Sequence, residues 1–127
     1  MATKNNLIAR LMDRAKKSEK EVAVFTLKDL DIDITLEEPS NELVNDAFEY
    51  KDGEKGDQFI LYASIIEPNF KELGKQLKDD GVIGTPIDVV DYVLKPGEIR
   101  YLAGEAVKMA GYGDDMVARK KVDEVKN

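Results

Sequence analysis

The 127-residue chain has no cysteine, no histidine and no tryptophan. Without cysteine there is no disulfide framework, no thiolate nucleophile and no sulfur-ligated metal. Without histidine the commonest general base and metal ligand is missing too. The serines, lysines, tyrosines and carboxylates that remain show no convergent nucleophile-and-base pattern, so no enzymatic activity, cofactor or metal site is expected. Long apolar runs are also lacking. The longest, Phe59 to Ala63, is far too short to cross a bilayer, and Met1-Ala2-Thr3-Lys4-Asn5-Asn6 has no apolar segment behind a basic start. A cytosolic protein away from membranes is the expectation. Basic charge is in deficit: 19 Lys and Arg face 26 Asp and Glu, a formal net charge of −7. Binding to phosphate backbones draws its affinity from counterions released by clustered Lys and Arg, so a nucleic-acid role is disfavoured.

What is present is a globular composition, 43% hydrophobic and 35% charged. A chain of this length buries roughly two thirds of the surface it exposes when unfolded, enough for a core of its own. One domain over residues 1–113 is expected, followed by a weakly anchored C-terminal helix or tail over residues 114–127.

Leu7, Ile8, Leu11, Met12 and Ala15 recur at helical spacing, with Arg10, Asp13, Arg14, Lys16 and Lys17 on the other side. Residues from about Asn5 to Lys17 therefore read as an amphipathic helix with Asn5 as its cap. Two uses of the apolar stripe stand open at this point, packing on the domain's own core or docking a partner. A lipid surface ranks below both, because the polar face mixes signs and the stripe has no aromatics.

The period then changes from 3.6 to 2. Val22-Ala23-Val24-Phe25-Thr26-Leu27 is rich in β-branched and aromatic residues, and Leu30, Ile32, Ile34 and Leu36 alternate with Asp31, Asp33 and Thr35. A hairpin turning near Lys28-Asp29 is the economical pairing, with the Leu30/Ile32/Ile34/Leu36 face covered by helices. Asp29, Asp31 and Asp33 superficially suggest a calcium loop. An EF-hand counted from Asp29 needs glycine at its sixth position and glutamate at its twelfth, where this chain has Ile34 and Ser40, so these aspartates read as the solvent-facing half of a strand.

Ser40 caps a further helix that places Leu43, Val44, Ala47, Phe48 and Tyr50 on one side. Lys51 to Gly56 reads as an exposed loop without a phosphate-binding pattern. Phe59 to Ile66 is apolar nearly all round. It reads as a helix entered from about Glu54 and stopped by Glu67-Pro68. Phe70, Leu73 and Leu77 mark a short amphipathic helix ended by Asp79-Asp80-Gly81. Thr85, Pro86 and Asp88 carry the pattern of a capping box with proline in the first turn. Lys95-Pro96 closes that helix and opens the next, with Glu98 in its first turn. Ile99, Leu102, Ala103, Ala106, Val107 and Ala110 share one face of this last helix, and Gly111 supplies its left-handed C′ residue. The fold class that follows is α+β and mostly helical: an N-terminal amphipathic helix, a short β-hairpin, then a bundle of about four to five helices.

Several of these segments, taken in succession, carry a resemblance. Ile66-Glu67-Pro68-Asn69-Phe70 leading to Leu73, Pro86-Ile87-Asp88-Val89-Val90, Lys95-Pro96-Gly97-Glu98-Ile99 and Met109-Ala110-Gly111-Tyr112 resemble, in order and spacing, the XkdN-like phage tail assembly chaperones. The similarity is densest between Ile60 and Tyr112. It does not clearly cover the Asn5 to Lys17 helix or the chain after Gly113. It implies a non-catalytic protein of the host cytoplasm, absent from the finished virion. Such a protein would hold the tape measure protein soluble and recruit tail tube subunits to it, in some relatives through a C-terminal extension made by frameshifting. No active-site residues accompany the resemblance. The alternative is a structural tail-completion or connector component retained in the particle. The covering surface is expected on helices, drawn from Leu7, Ile8, Leu11 and Met12, from Tyr101 and Met109, or from Tyr112 and Met116. Methionine and tyrosine suit adaptable interfaces. Each of these residues has ordinary core packing as its alternative reading, and the oligomeric state is left open.

Overall fold

The structure, a computed structural model, describes residues 4–17, 19–113 and 117–120. Strand β1, Val22–Leu27, pairs antiparallel with β2, Ile32–Glu37, setting Phe25 opposite Ile34 and Val24 opposite Thr35. Residues 28–31 make the turn, with Asp31 in left-handed geometry at φ 53°, a conformation that aspartate tolerates better than most residues. This turn alters the expected inner face. Leu30 lies in the turn and is exposed, and Ile32 is largely exposed at the strand's start, so only Ile34 and Leu36 of that set enter the core. Asp29 and Asp31 likewise belong to the turn. Asp33 alone keeps the predicted solvent-facing strand position, where it accepts a 2.7 Å hydrogen bond from the Thr26 hydroxyl.

A third strand, β3, Ile65–Glu67, was not expected. It pairs antiparallel with β2, Leu36 opposite Ile65 and Thr35 opposite Glu67, giving the sheet order β1-β2-β3. The helix predicted to run to Glu67 therefore stops at Ser64. Ile65 and Ile66 are β-branched and lie beside the edge of β2, so sheet hydrogen bonds replace a last helical turn.

Helix α1, Lys4–Lys16, precedes the sheet, and five helices follow the hairpin: α2, Asn41–Phe48; α3, Gly53–Ser64; α4, Phe70–Asp79; α5, Val89–Val93; and α6, Pro96–Met109. Their starts are set by side chains that accept from otherwise unpartnered N–H groups. Ser40 Oγ accepts from Leu43 N–H at 3.1 Å, Asp52 from Glu54 N–H at 2.9 Å and Asn69 from Glu72 N–H at 3.0 Å. The Asp52 cap starts α3 inside the segment predicted as a loop. A 3-10 turn over Pro86–Asp88 leads into α5, and the Asp88 carboxylate accepts from Thr85 N–H at 3.2 Å. The Glu98 carboxylate does the same for Lys95 N–H at 2.8 Å, directly ahead of α6. Gly111, at φ 96°, closes α6 as predicted.

Two glycines set how closely the helices approach. A Cβ on Gly56 would lie 2.6 Å from the Ala47 carbonyl oxygen, and one on Gly74 would lie 2.4 Å from that of Pro86. Backbone therefore meets backbone where α3 crosses α2 and where α4 meets the Pro86 turn. The core lies between the inner face of the sheet and α2 to α6. Leu36, Val44, Leu61, Val89, Val90 and Ala106 are fully buried in it. Among the described residues, no helix is long and apolar enough to cross a membrane.

Candidate partner-binding surfaces

α1 is amphipathic in sequence and uncovered in the structure. Every residue from Asn6 to Lys17 is exposed, including Leu7, Ile8, Leu11 at 65% and Met12 at 48%. The stripe does not pack on the domain's own core, contrary to the core-packing reading of these four residues. The helix begins at Lys4, so Asn5 lies inside it rather than at its cap. A contiguous run of uncovered aliphatic side chains is costly in water and characteristic of interaction surfaces.

A second apolar surface lies between β1 and the first half of α6. It is a groove of about 920 Å³ with Val24, Phe25, Leu27, Tyr101 and Leu102 among its lining residues. Tyr101 is 59% exposed and meets Phe25 edge-on, ring centroids 6.1 Å apart. Glu38 N–H donates to the Glu21 carbonyl at 2.8 Å, which fixes the phase of the β1-β2 ladder. Antiparallel alternation then directs the N–H and C=O groups of Val22, Val24 and Thr26 away from β2, along the open edge of the sheet. At one end of the groove the Lys95 ammonium donates to the Asp29 carboxylate, tying the hairpin turn to the start of α6. The hydrogen bond and the charge of Lys95 hold the Asp29 carboxyl below its ordinary range, and Asp29 raises Lys95 in return. Both side chains are well exposed, so solvent screening leaves the pair a small part in stability.

Aromatic groups gather at the other end of α6. Tyr112 is partly exposed and meets Phe48 edge-on at 5.9 Å. Tyr50 and Phe59, 5.6 Å apart, line a trough of about 340 Å³ together with Asp46 and Glu49. Met109 is half-buried and packs against the core. Met116 lies outside the described residues. Of the helix expected over the tail, only residues 117–120 are described, and they are exposed and carry no regular secondary structure.

The predicted contact residues therefore belong to separate surfaces: Leu7, Ile8, Leu11 and Met12 on α1, Tyr101 at the β1/α6 groove, and Tyr112 beyond the far end of α6. Sequence reasoning missed Val24, Phe25 and the groove they line. The exposed Val22 and Val24 were legible as one side of a strand, but nothing local indicates which helix stands beside that strand.

A smaller notch of about 150 Å³ between α3, α5 and α6 is lined by Glu54, Asp57, Asp91, Leu94, Pro96, Ile99 and Arg100. Asp91 accepts from Gln58 Nε2 at 3.0 Å. Burial raises its carboxyl above the ordinary range, and the neighbouring Asp88, Glu54 and Asp52 add to the shift. Burial raises Asp57 too, opposed by Arg100. Among the described residues, no three His, Cys, Asp or Glu side chains are placed to hold a metal ion. No protein-family model, curated protein or solved structure matches the chain.

Proposed function

We propose that the chain is a phage or prophage tail assembly chaperone that works by binding alone. It would cover apolar stripes of the tape measure protein in the host cytoplasm, help bring tail tube subunits to it, and stay out of the finished virion. The observation that carries this reading is the uncovered stripe of α1, which pairs an adhesive helix with an acidic body. The succession of segments between Ile60 and Tyr112 that resembles the XkdN-like chaperones supplies the identity of the client. The physical logic is consistent. A long helical client exposes apolar faces that aggregate, an amphipathic helix can lie along such a face, and net negative charge keeps the complex dispersed.

The test is co-production of the tape measure protein with the full chain or with a chain lacking residues 1–17. The full chain is expected to move the tape measure into the soluble fraction, and the shortened one to leave it in the pellet. A tape measure equally insoluble in both refutes the reading. Mass spectrometry of purified virions is expected to find the chain absent. Finding it in stoichiometric amount replaces the chaperone with a structural tail component.

A further inference from the structure

The apolar stripe of α1 is bordered by charge of a single sign. At about 100° per residue, Arg14 falls beside Leu7, Arg10 next to Arg14, and Lys16 beside Met12, on the opposite border. Asp13, the sole acid between residues 4 and 17, falls opposite the middle of the stripe. Residues 1–17 carry a formal net +4 in a chain of net −7, so the remainder carries −11. Among the described residues, Arg10, Arg14 and Lys16 have no ion-pair partner.

When two helices pack along a narrow apolar seam, the residues bordering one stripe meet those bordering the other, and their charges decide which partner is accepted. Resting on the docking role of α1 set out above, we infer that α1 takes an acidic amphipathic helix, one whose apolar stripe is bordered on both sides by Asp or Glu. The same borders argue against a second α1 as the occupant, since pairing two copies sets Arg and Lys against Arg and Lys. A purely apolar stripe leaves the basic border without the counter-charge it is placed to meet. An anionic bilayer offers that counter-charge, but the stripe has no tryptophan, tyrosine or phenylalanine to hold the membrane interface.

The experiment uses the full chain and two labelled peptides with one leucine stripe at i, i+3, i+4 and i+7, bordered in one by glutamate and in the other by lysine. Fluorescence anisotropy is expected to show the glutamate peptide binding about tenfold more tightly at about 0.05 M salt, as the product of three exposed charge pairs. That preference should shrink toward parity at about 0.5 M salt, where the screening length is only a few ångströms. In an Arg10→Glu/Arg14→Glu/Lys16→Glu variant with unchanged thermal midpoint, the preference should reverse toward the lysine peptide. Equal binding of the two peptides overturns the inference, as does a preference that survives the triple reversal. It is likewise overturned if α1 ignores both peptides and binds only phosphatidylserine vesicles, or if the chain self-associates through α1. If neither peptide binds while the tape measure still needs residues 1–17 for solubility, the acidic-helix inference fails and the chaperone reading stands. A reversible glutamate preference with no effect on the tape measure leaves the inference standing and removes the client.

Discussion

Replacing Leu11 by aspartate should disable binding and spare the fold. Leu11 is 65% exposed, and no other element of the body covers it. Substitutions at such positions usually change stability by no more than about 0.5 kcal/mol. At roughly 3–6 °C per kcal/mol for a domain of this size, the midpoint should move by less than about 3 °C. The comparison is Leu102→Ala, where a side chain only 2% exposed is truncated inside the core. Its cost is about 2–5 kcal/mol, a fall of at least about 6 °C. Binding should respond in the opposite order. Covering the exposed half of Leu7, Ile8, Leu11 and Met12 is worth about 0.7–1.5 kcal/mol each. An aspartate in the middle of that stripe removes one share and forces a carboxylate into the seam, together about 2 kcal/mol or more, or about thirtyfold in Kd. Circular-dichroism melts and anisotropy titrations against a soluble tape measure fragment measure the two effects. The reasoning is refuted if Leu11→Asp melts as low as Leu102→Ala, or if it binds the fragment as tightly as the parent chain.

Four further outcomes follow from the geometry. Gly74→Ala should lower stability by about 1–3 kcal/mol, because its Cβ meets the Pro86 carbonyl oxygen at 2.4 Å with backbone on both sides. Gly104→Ala in α6, with nothing within 4 Å, should raise stability by about 0.5–1 kcal/mol, and chemical denaturation of both variants checks the reversal of sign. Ser64→Ala should be neutral or stabilising by up to about 1 kcal/mol, since the buried Ser64 Oγ has no hydrogen-bond partner among the described residues. The raised carboxyl of Asp91 means that the folded chain holds that proton more tightly than the unfolded chain does. Its contribution is therefore lost as pH rises from the ordinary carboxylate range, near 3.8, through the raised value. Asp91→Asn keeps an acceptor for Gln58 and should raise the midpoint at neutral pH, an advantage that melts near pH 3–4 should show disappearing.

The helix boundaries that were legible have local causes. Ser40, the Thr85-Pro86-Asp88 pattern, Glu98 and Gly111 act within four residues of themselves, and each stands where its chemistry predicts. The buried face of α6 was legible for a similar reason, since Leu102, Ala103 and Ala106 share one side whatever they meet. β3 was not legible. Ile65 and Ile66 resume the apolar character of α3 after the single Ser64, and the reason they leave the helix is β2, about thirty residues earlier in the chain. The turn lies at Lys28-Asp29 as expected, but its extension to Asp31 was not legible, because Leu30 keeps the alternation of the following strand while belonging to neither strand. Gly56 reads as a loop residue and Gly74 as an ordinary helix-weakening one until the crossing backbones are seen. The candidate surfaces divide in the same way. Periodicity identified the α1 stripe but says the same of a core-facing helix and a free one, and the β1/α6 groove exists only through contact between distant segments.

The isolation of α1 has a further consequence. Thirteen residues with little tertiary support lie near the length, about 12–15 residues, at which a lone helix in water is only marginally wound. Capture of a partner then includes completing the winding of α1, and that ordering cost subtracts from the affinity of the contact. Stronger helix formers on the side facing away from Leu7 and Leu11 should tighten the complex without touching it. Grip would then be adjustable from positions that never meet the client.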